Sequence, residues 1–258
     1  MRLKVKDMEF GYASVTILKD VTMELAESEV LGIVGPNGAG KSTLIRCIDR
    51  IISPQKGSIL VDGTDIKTMS STNRAKKIGY VPQGVAQAFP TTVFDTVLMG
   101  RRPHFGWWSR KEDNEKVLDM LEMLNLEQFA MRGINELSGG QQQKVFIARA
   151  LTQEADILLL DEPVSALDIR HQLEVLNVIR SVVKESGISV MISIHDLNLA
   201  SRFTDRLLLM YNGTVFSTGP SSSVLTHDNI KQVYGVEANV STHGGRNYIA
   251  PDKPVEEK

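Results

Sequence analysis

"GIVGPNGAGKSTLIRCI", residues 32–48, sets glycines, one lysine and two hydroxyl side chains between an apolar run and an apolar-periodic segment. In a loop of small residues the backbone amides can all turn inward, and the concavity suits an anion, with a phosphate chain the expected guest. Gly35, Gly40, Lys41 and Ser42 fit the spacing G-x-x-x-x-G-K-[ST]. The cradle is then Gly35, Pro36, Asn37, Gly38, Ala39, Gly40, Lys41, Ser42 and Thr43, with Lys41 reaching the β- and γ-phosphates of a nucleotide and the Ser42 hydroxyl on Mg²⁺. The flanks agree: "VLGIVG" (residues 30–35) reads as a short buried strand, and Thr43, Leu44, Ile45 and Ile48 continue as a helix. A glycine-rich turn with an incidental lysine needs neither flank.

The chain's 258 residues, 42% of them hydrophobic, suffice for one large domain or a domain with a subdomain. Lys and Arg total 29 against 31 Asp and Glu, a net charge of -2, so no overall basic excess argues for nucleic acid, and none is expected as a partner. One cysteine excludes an intramolecular disulfide, and Cys47, on the helix after the glycine loop, reads as a packed small apolar residue. The opening "MRLKVKDMEFGY" lacks a signal-peptide core, and no run approaches the roughly 18 apolar residues of a membrane span. The expectation is a soluble, cytosolic chain, able to dock on a membrane protein.

Along the chain, residues 2–6 alternate, and "SILVDGTDI" carries Asp62-Gly63, suited to a tight hairpin in an antiparallel edge region. From Asp113 on, Val117, Met120, Leu121 and Leu124 recur at helical spacing, and the segment to about Ala150 reads as mostly helix. "ADILLLDEP" is a continuously apolar strand ending in two acids, followed by a helix through Leu173, Leu176, Ile179 and Val183. "ISVMISIHD" is another buried strand, and "LLLMYNGTVFSTG" a hairpin turning at Asn212-Gly213. The fold class expected is α/β, with a mainly parallel core sheet, an antiparallel β edge subdomain and an inserted α-helical subdomain. The tail "PDKPVEEK", proline-broken and charged, is expected to be mobile.

Two further constellations carry chemistry. In "ILLLDEP", Asp161 ends a hydrophobic strand where a carboxylate can hold Mg²⁺ beside a phosphate loop, and Glu162 can orient and deprotonate a water. In "LSGGQQQ", Ser138 and Gln141 form an S-x-x-Q capping box. Gly139 and Gly140 leave the amides of that helix N-terminus bare, a second phosphate-binding arrangement.

In that order, "GPNGAGKST", "LSGGQ", "ILLLDEP", "SALD" and "SIHD" resemble the nucleotide-binding subunit of ATP-binding-cassette transporters, over residues 3–225. The resemblance implies a P-loop NTPase acting on ATP with Mg²⁺, and a head-to-tail homodimer in which each ATP lies between the phosphate loop of one copy and the LSGGQ helix of the other. It implies that Ser138, Gly139, Gly140 and Gln141 serve the partner copy's γ-phosphate, and that Asp168 couples the two sites. Gln83 in "VPQ" looks like the residue that contacts Mg²⁺ and the attacking water while sensing the permease. His195 resembles the switch histidine at the γ-phosphate, and catalysis is assigned to Glu162, His195, Gln83 and Lys41. Tyr12 looks like the aromatic that stacks on adenine, an edge-strand tyrosine being its other reading. The cassette is expected over residues 1–240, with a helical subdomain at about 90–155, and a C-terminal extension over residues 241–258.

"TTVFDTVLMGRRPHFGWWSR" and "IKQVYGVEANV" resemble segments of importers of iron-siderophore, haem and cobalamin type. The V-x-G-R-x-P-H pattern is imperfect here, since Leu98 and Met99 separate Val97 from Gly100. The partners implied are integral-membrane permease subunits on the cytoplasmic face and, indirectly, an extracytoplasmic substrate-binding protein. Importers of another metal or small solute, and a soluble non-transport cassette ATPase, are the alternatives. A DNA-repair or chromosome-structure ATPase needs a long heptad insertion between phosphate loop and signature, a translation-associated protein usually carries two cassettes, and a P-loop kinase has no need of LSGGQ. Trp107 and Trp108, beside Arg101, Arg102 and Arg110, read either as core of the helical subdomain or as part of the surface that receives the permease.

Overall fold

The structure, a computed structural model, describes residues 1–84, 91–105 and 109–255. β1 (Leu3–Tyr12) and β2 (Val15–Leu25) pair antiparallel, and β3 (Val30–Val34) runs into the glycine loop and α1 (Lys41–Ile48). β4 (Lys56–Val61) turns into β5 (Thr64–Asp65) through Asp62 and Gly63, both left-handed at φ 48° and 78°, as a two-residue hairpin requires. α2 (Ser71–Lys77) and β6 (Ile78–Val81) follow, and α3 (Val93–Leu98), α4 (Lys111–Met123) and α5 (Gly139–Thr152) precede the return as β7 (Ile157–Asp161). Next come α6 (Ile169–Ser186), β8 (Ser189–Ser193), α7 (Leu197–Phe203), β9 (Arg206–Tyr211) and β10 (Thr214–Gly219). The chain closes with α8 (Ser221–Val224), α9 (His227–Tyr234), β11 (Val236–His243) and β12 (Arg246–Pro254).

Among the described residues the larger sheet has the order β10-β9-β3-β8-β7-β6, its last five strands parallel and β10 an antiparallel edge. β3, β7 and β8 are buried at every position, which is why their sequences run apolar without alternation. The smaller sheet, β2-β1-β4-β5, is antiparallel. Successive strand residues point to opposite faces, and they sort the interior into two cores. Leu31, Ile33, Ile157 and Leu159 pack with α1 and the antiparallel sheet, whereas Val30, Val34, Leu158 and Leu160 pack with the helices opposite. Cys47 is fully buried in the first core, and burial pushes its thiol up to about 12, as a packing residue's should be.

The stretch read as mostly helix from Asp113 is mostly helix, as two helices: Asn125, left-handed at φ 56°, follows the end of α4, and short 3-10 turns lead to α5. Another expectation is corrected. The tail expected to be mobile is strand as far as Pro254. Pro251 and Pro254 fit there because a strand in a two-stranded ribbon has a free edge, where a missing N–H breaks no ladder. The hairpin starts at Val236, so a boundary after residue 240 falls inside β11.

Register decides where the site lies. Ile33 of β3 and Asp161 of β7 both stand level with Ser193 of β8, and Val81 of β6 stands level with Leu160. The residues that follow these strand ends are the glycine loop, Glu162, His195 and Gln83. All four therefore emerge at the carboxyl edge of one parallel sheet, where ligands of open α/β sheets bind.

Candidate functional site

The glycine loop wraps the head of a cleft of about 510 Å³ whose lining includes residues 37–43, Gln83, Glu162 and His195. Gly35 has φ 146°, and a Cβ there would lie 2.3 Å from the Met210 carbonyl oxygen, so the tight turn admits glycine alone. Gly40, left-handed at φ 102°, is the N-cap of α1 and offers no capping side chain. The first amides of α1 are thus left for an anion. Lys41 is buried, its ammonium donating to the carbonyls of Gly35 (2.7 Å) and Pro36 (3.1 Å). Burial lowers its pKa, against an opposing pull from Glu162 and Asp161.

The acids lie beside it. Asp161 is fully buried, and its Oδ1 accepts from Ser42 Oγ (2.9 Å) and Ser193 Oγ (3.0 Å). Its Oδ2 is buried with no hydrogen-bond partner. An orphaned carboxylate oxygen next to a hydroxyl that already shares its carboxylate fits a hard cation. Among the described residues no group of three or more His, Cys, Asp or Glu side chains could by itself hold a metal ion. Glu162 is left-handed at φ 51°, a conformation that is strained for a non-glycine residue and recurs at active sites. Its backbone N–H donates to Ser193 Oγ (2.8 Å), its Oε2 accepts from Gln83 Nε2 (2.6 Å), and its Oε1 meets His195 Nε2 at 2.5 Å. Glu162 is 9% exposed, and its carboxylate is therefore aimed by both neighbours rather than left free to rotate.

Ser138 and Asp168 are elsewhere. The capping box is formed: Ser138 Oγ accepts from Gln141 N–H (3.3 Å), and Gln141 Oε1 accepts from Ser138 N–H (3.0 Å). Gly139 has nothing within 4 Å of where a Cβ would stand. Ser138, Gly140, Gln141 and Asp168 line a second cavity of about 370 Å³ that shares no lining residue with the first. Asp168 caps α6, accepting the His171 N–H (3.0 Å) and meeting His171 Nδ1 (2.7 Å); the backbone bond, then the side-chain bond, lowers its pKa. Tyr12 is 51% exposed and packs edge to face on Phe10, while Ile17 of the paired strand lines the cleft in its stead.

Sequence reasoning missed Ser193, which bridges both acids. The available signal was a hydroxyl in a strand otherwise buried and apolar, where a polar group has to find a partner. It also left Arg101 and His104 as marks of cargo class. Arg101 is buried and donates to Asp113 (2.9 Å), the Thr152 carbonyl (2.9 Å) and Glu154 (2.7 Å), and His104 Nε2 meets the Gln153 carbonyl oxygen at 2.7 Å. These residues tie their segment to the C-terminal end of α5. Trp107 and Trp108 lie outside the described residues.

A phosphate loop and a strand-end acid pair at the carboxyl edge of one parallel sheet, with the capped Ser138 helix start standing apart from them, define a P-loop nucleotide-binding ATPase. The sequence model of the ABC transporter family matches residues 18–165, more than half of the chain. An uncharacterized ABC transporter ATP-binding protein of Methanocaldococcus jannaschii is 46% identical over 97% of this chain and 98% of its own. A cobalamin import ATP-binding protein of Halobacterium salinarum is 39% identical over 94% of this chain, which spans 61% of that protein. An iron(3+)-hydroxamate import ATP-binding protein of Bacillus subtilis is 36% identical over 93% of this chain and 90% of its own. Among solved structures, an inward-facing ABC transporter described as of metal-chelate type aligns with TM-score 0.82 at 29% identity, over 97% of this chain and 96% of that one. A dimeric ATP-binding cassette with ADP and Pi aligns with TM-score 0.77 at 31% identity, over 84% and 98%. The chain belongs to the ABC transporter family, as its ATP-binding subunit.

Proposed function

We propose that this chain hydrolyses ATP to drive uptake of an iron chelate or cobalamin through a membrane permease, working as a head-to-tail dimer on the cytoplasmic face of the membrane. One observation carries the reading of the chemistry: Glu162 is held by Gln83 and His195 beside the Ser42–Asp161 pair, all at the mouth of one phosphate loop. The names of the cobalamin and iron-hydroxamate import proteins support the cargo class, and the dimeric cassette supports the assembly. No helix among the described residues is long and apolar enough to cross a membrane, which agrees with a subunit that relies on permease partners. An extracytoplasmic binding protein delivers cargo to the far side. The cassette, with its helical arm at about residues 90–155, precedes the C-terminal hairpin that begins at Val236.

ATP enters the cleft with its phosphates on the amides of residues 37–43. Lys41 leaves the Gly35 and Pro36 carbonyls for the β- and γ-phosphate oxygens, where its charge offsets what accumulates in the transition state. Tyr12, which lies outside the cleft's lining where Ile17 is part of it, turns in to stack on the base. Ser42, Asp161 and Gln83 would hold Mg²⁺, which would supply neutralisation of the charge that develops on the phosphates. Glu162 takes a proton from the attacking water as that water bonds to the γ-phosphorus and the β–γ bridge breaks. His195 steadies Glu162 and the γ-phosphate. Ser138, Gly139, Gly140 and Gln141 of the opposite copy close on the same phosphate, so ATP cements the dimer and hydrolysis releases it, with Asp168 linking the two sites.

Glu162→Gln tests this reading. The amide still hydrogen-bonds water but cannot accept its proton, so turnover should stall while ATP binding survives. Size-exclusion chromatography should then show an ATP-dependent dimer that ADP does not support, and a bulky residue at Ser138 should abolish it. Wild-type turnover in Glu162→Gln, alone or assembled with the permease, removes Glu162 as the base.

A further inference from the structure

The C-terminal elements lie beyond the residues matched to the family, yet they touch the cleft's surroundings at two points. His195 stands immediately before Asp196, the N-cap of α7, whose Oδ1 accepts from the N–H groups of Asn198 (2.8 Å) and Leu199 (2.9 Å). Asn198 then reaches the C-terminal hairpin. Its Oδ1 accepts from the Ile249 N–H (2.8 Å), and its Nδ2 donates to the Ile249 carbonyl (3.1 Å), so one side chain pairs with both backbone groups of a residue in β12. The hairpin is itself docked: Ile249 and Ala238 belong to the main core, and buried Asn247 donates to the Leu225 carbonyl (2.9 Å) while accepting from Thr242 (2.8 Å). At the second point, the last residue of α9, Tyr234, is packed against the main core with the Gly35 backbone amide beside its hydroxyl.

α7 has seven residues, fewer than two full turns, and such a helix does not hold its own direction in water. Its buried residues, Ala200, Ser201 and Phe203, all lie in its second half. The first turn, which carries the chain away from His195, is held by the Asp196 cap, by Leu197 and Leu199, which are only partly buried against the main core, and by the Asn198–Ile249 pair. Among the described residues that pair alone ties the turn to the hairpin backbone by hydrogen bonds from a side chain of α7. We infer that Asn198 is a positioning residue for ATP hydrolysis: by pairing with Ile249 it uses the C-terminal hairpin as a brace that keeps His195 on Glu162. The inference rests on the role given to His195 above. Asn198 lies outside the cleft's lining, and the Glu162 carboxylate is bonded by Gln83 and His195 instead, so loss of Asn198 disturbs geometry and leaves the binding groups intact.

The test compares full-length Asn198→Ala with Asn247→Ala, which loosens the same hairpin at α8 and leaves the Ile249 pair in place. Hydrogen exchange is followed over residues 195–203, with turnover and ATP affinity measured in parallel. Asn198→Ala should speed exchange across 195–199 and lower kcat about tenfold, since a small displacement of a reacting group is costly. Its ATP Kd should stay within about twofold of wild type, the signature of an interaction used only in turnover. Asn247→Ala should lower the melting temperature without that split. Unchanged exchange at 195–199 overturns the brace, and so does a kcat loss that merely tracks melting temperature in both variants. If His195→Ala retains wild-type turnover, the failure lies with the role of His195, and the exchange result still judges the brace.

Discussion

Ser193 is the residue on which the two acids depend. Its hydroxyl donates to Asp161 (3.0 Å) and accepts the Glu162 N–H (2.8 Å), holding in place a backbone whose left-handed φ costs on the order of 1–3 kcal/mol. Ser193→Ala leaves the buried Glu162 amide without a partner, a penalty of about 1–3 kcal/mol. The melting temperature should drop accordingly. Turnover should fall further than ATP affinity, because Glu162 loses its aim while the phosphate cradle is intact. A thermal melt alongside steady-state ATPase kinetics reads both, and unchanged values in both would remove Ser193 from the site.

At the scale of elements, α1 carries a titratable device. Asp49 caps its C-terminus, where the helix dipole disfavours an anion. Burial pushes the carboxyl up to about 6, with Arg74 pulling the other way. A folded pKa above the usual 3.8 means that the native state prefers the protonated acid. The stability this supplies is complete below the unfolded pKa and is lost as pH rises through about 6. Asp49→Asn should therefore melt higher than wild type near about pH 8, with the advantage closing toward about pH 4. Melting curves across that range decide it: an advantage that does not change with pH would trace to packing. Other elements were read from a few residues, as with the Asp62-Gly63 and Asn212-Gly213 turns, whose central residues are left-handed in both cases. The break between α4 and α5 falls at Asn125, a residue whose turn conformation competes with helix and whose choice depends on the packing around it.

The phosphate loop and the Ser138 capping box line separate cavities of one chain, and in the proposed head-to-tail dimer each would be completed by the other copy. That arrangement suits an assembly driven by nucleotide and harnessed to a permease. Cells lacking this protein should lose growth on a chelated iron source or uptake of cobalamin at limiting concentration, and regain it with the wild-type chain but not with Lys41→Ala. Normal uptake of all these compounds, with a defect for a sugar or amino acid, would move the cargo to another class and leave the ATPase standing.

Sequence by itself determined what is local. The amide concavity of residues 35–43, the Ser138–Gln141 capping box, the apolar strands and the two-residue turns each depend on neighbours a few positions apart, and local geometry follows from residue type at that range. The motif order extended this to the family. Tertiary structure alone decided which groups meet. His195 and Glu162 are 33 residues apart, Ser193 and Asp161 are 32, and Gln83 and Glu162 are 79. Their contacts come from the register of parallel strands, set by the packing of both sheet faces, with no term in the local sequence. The same holds for the C-terminal tail: its prolines and charges argue for a free end, and only the core that receives Ile249 makes it a strand.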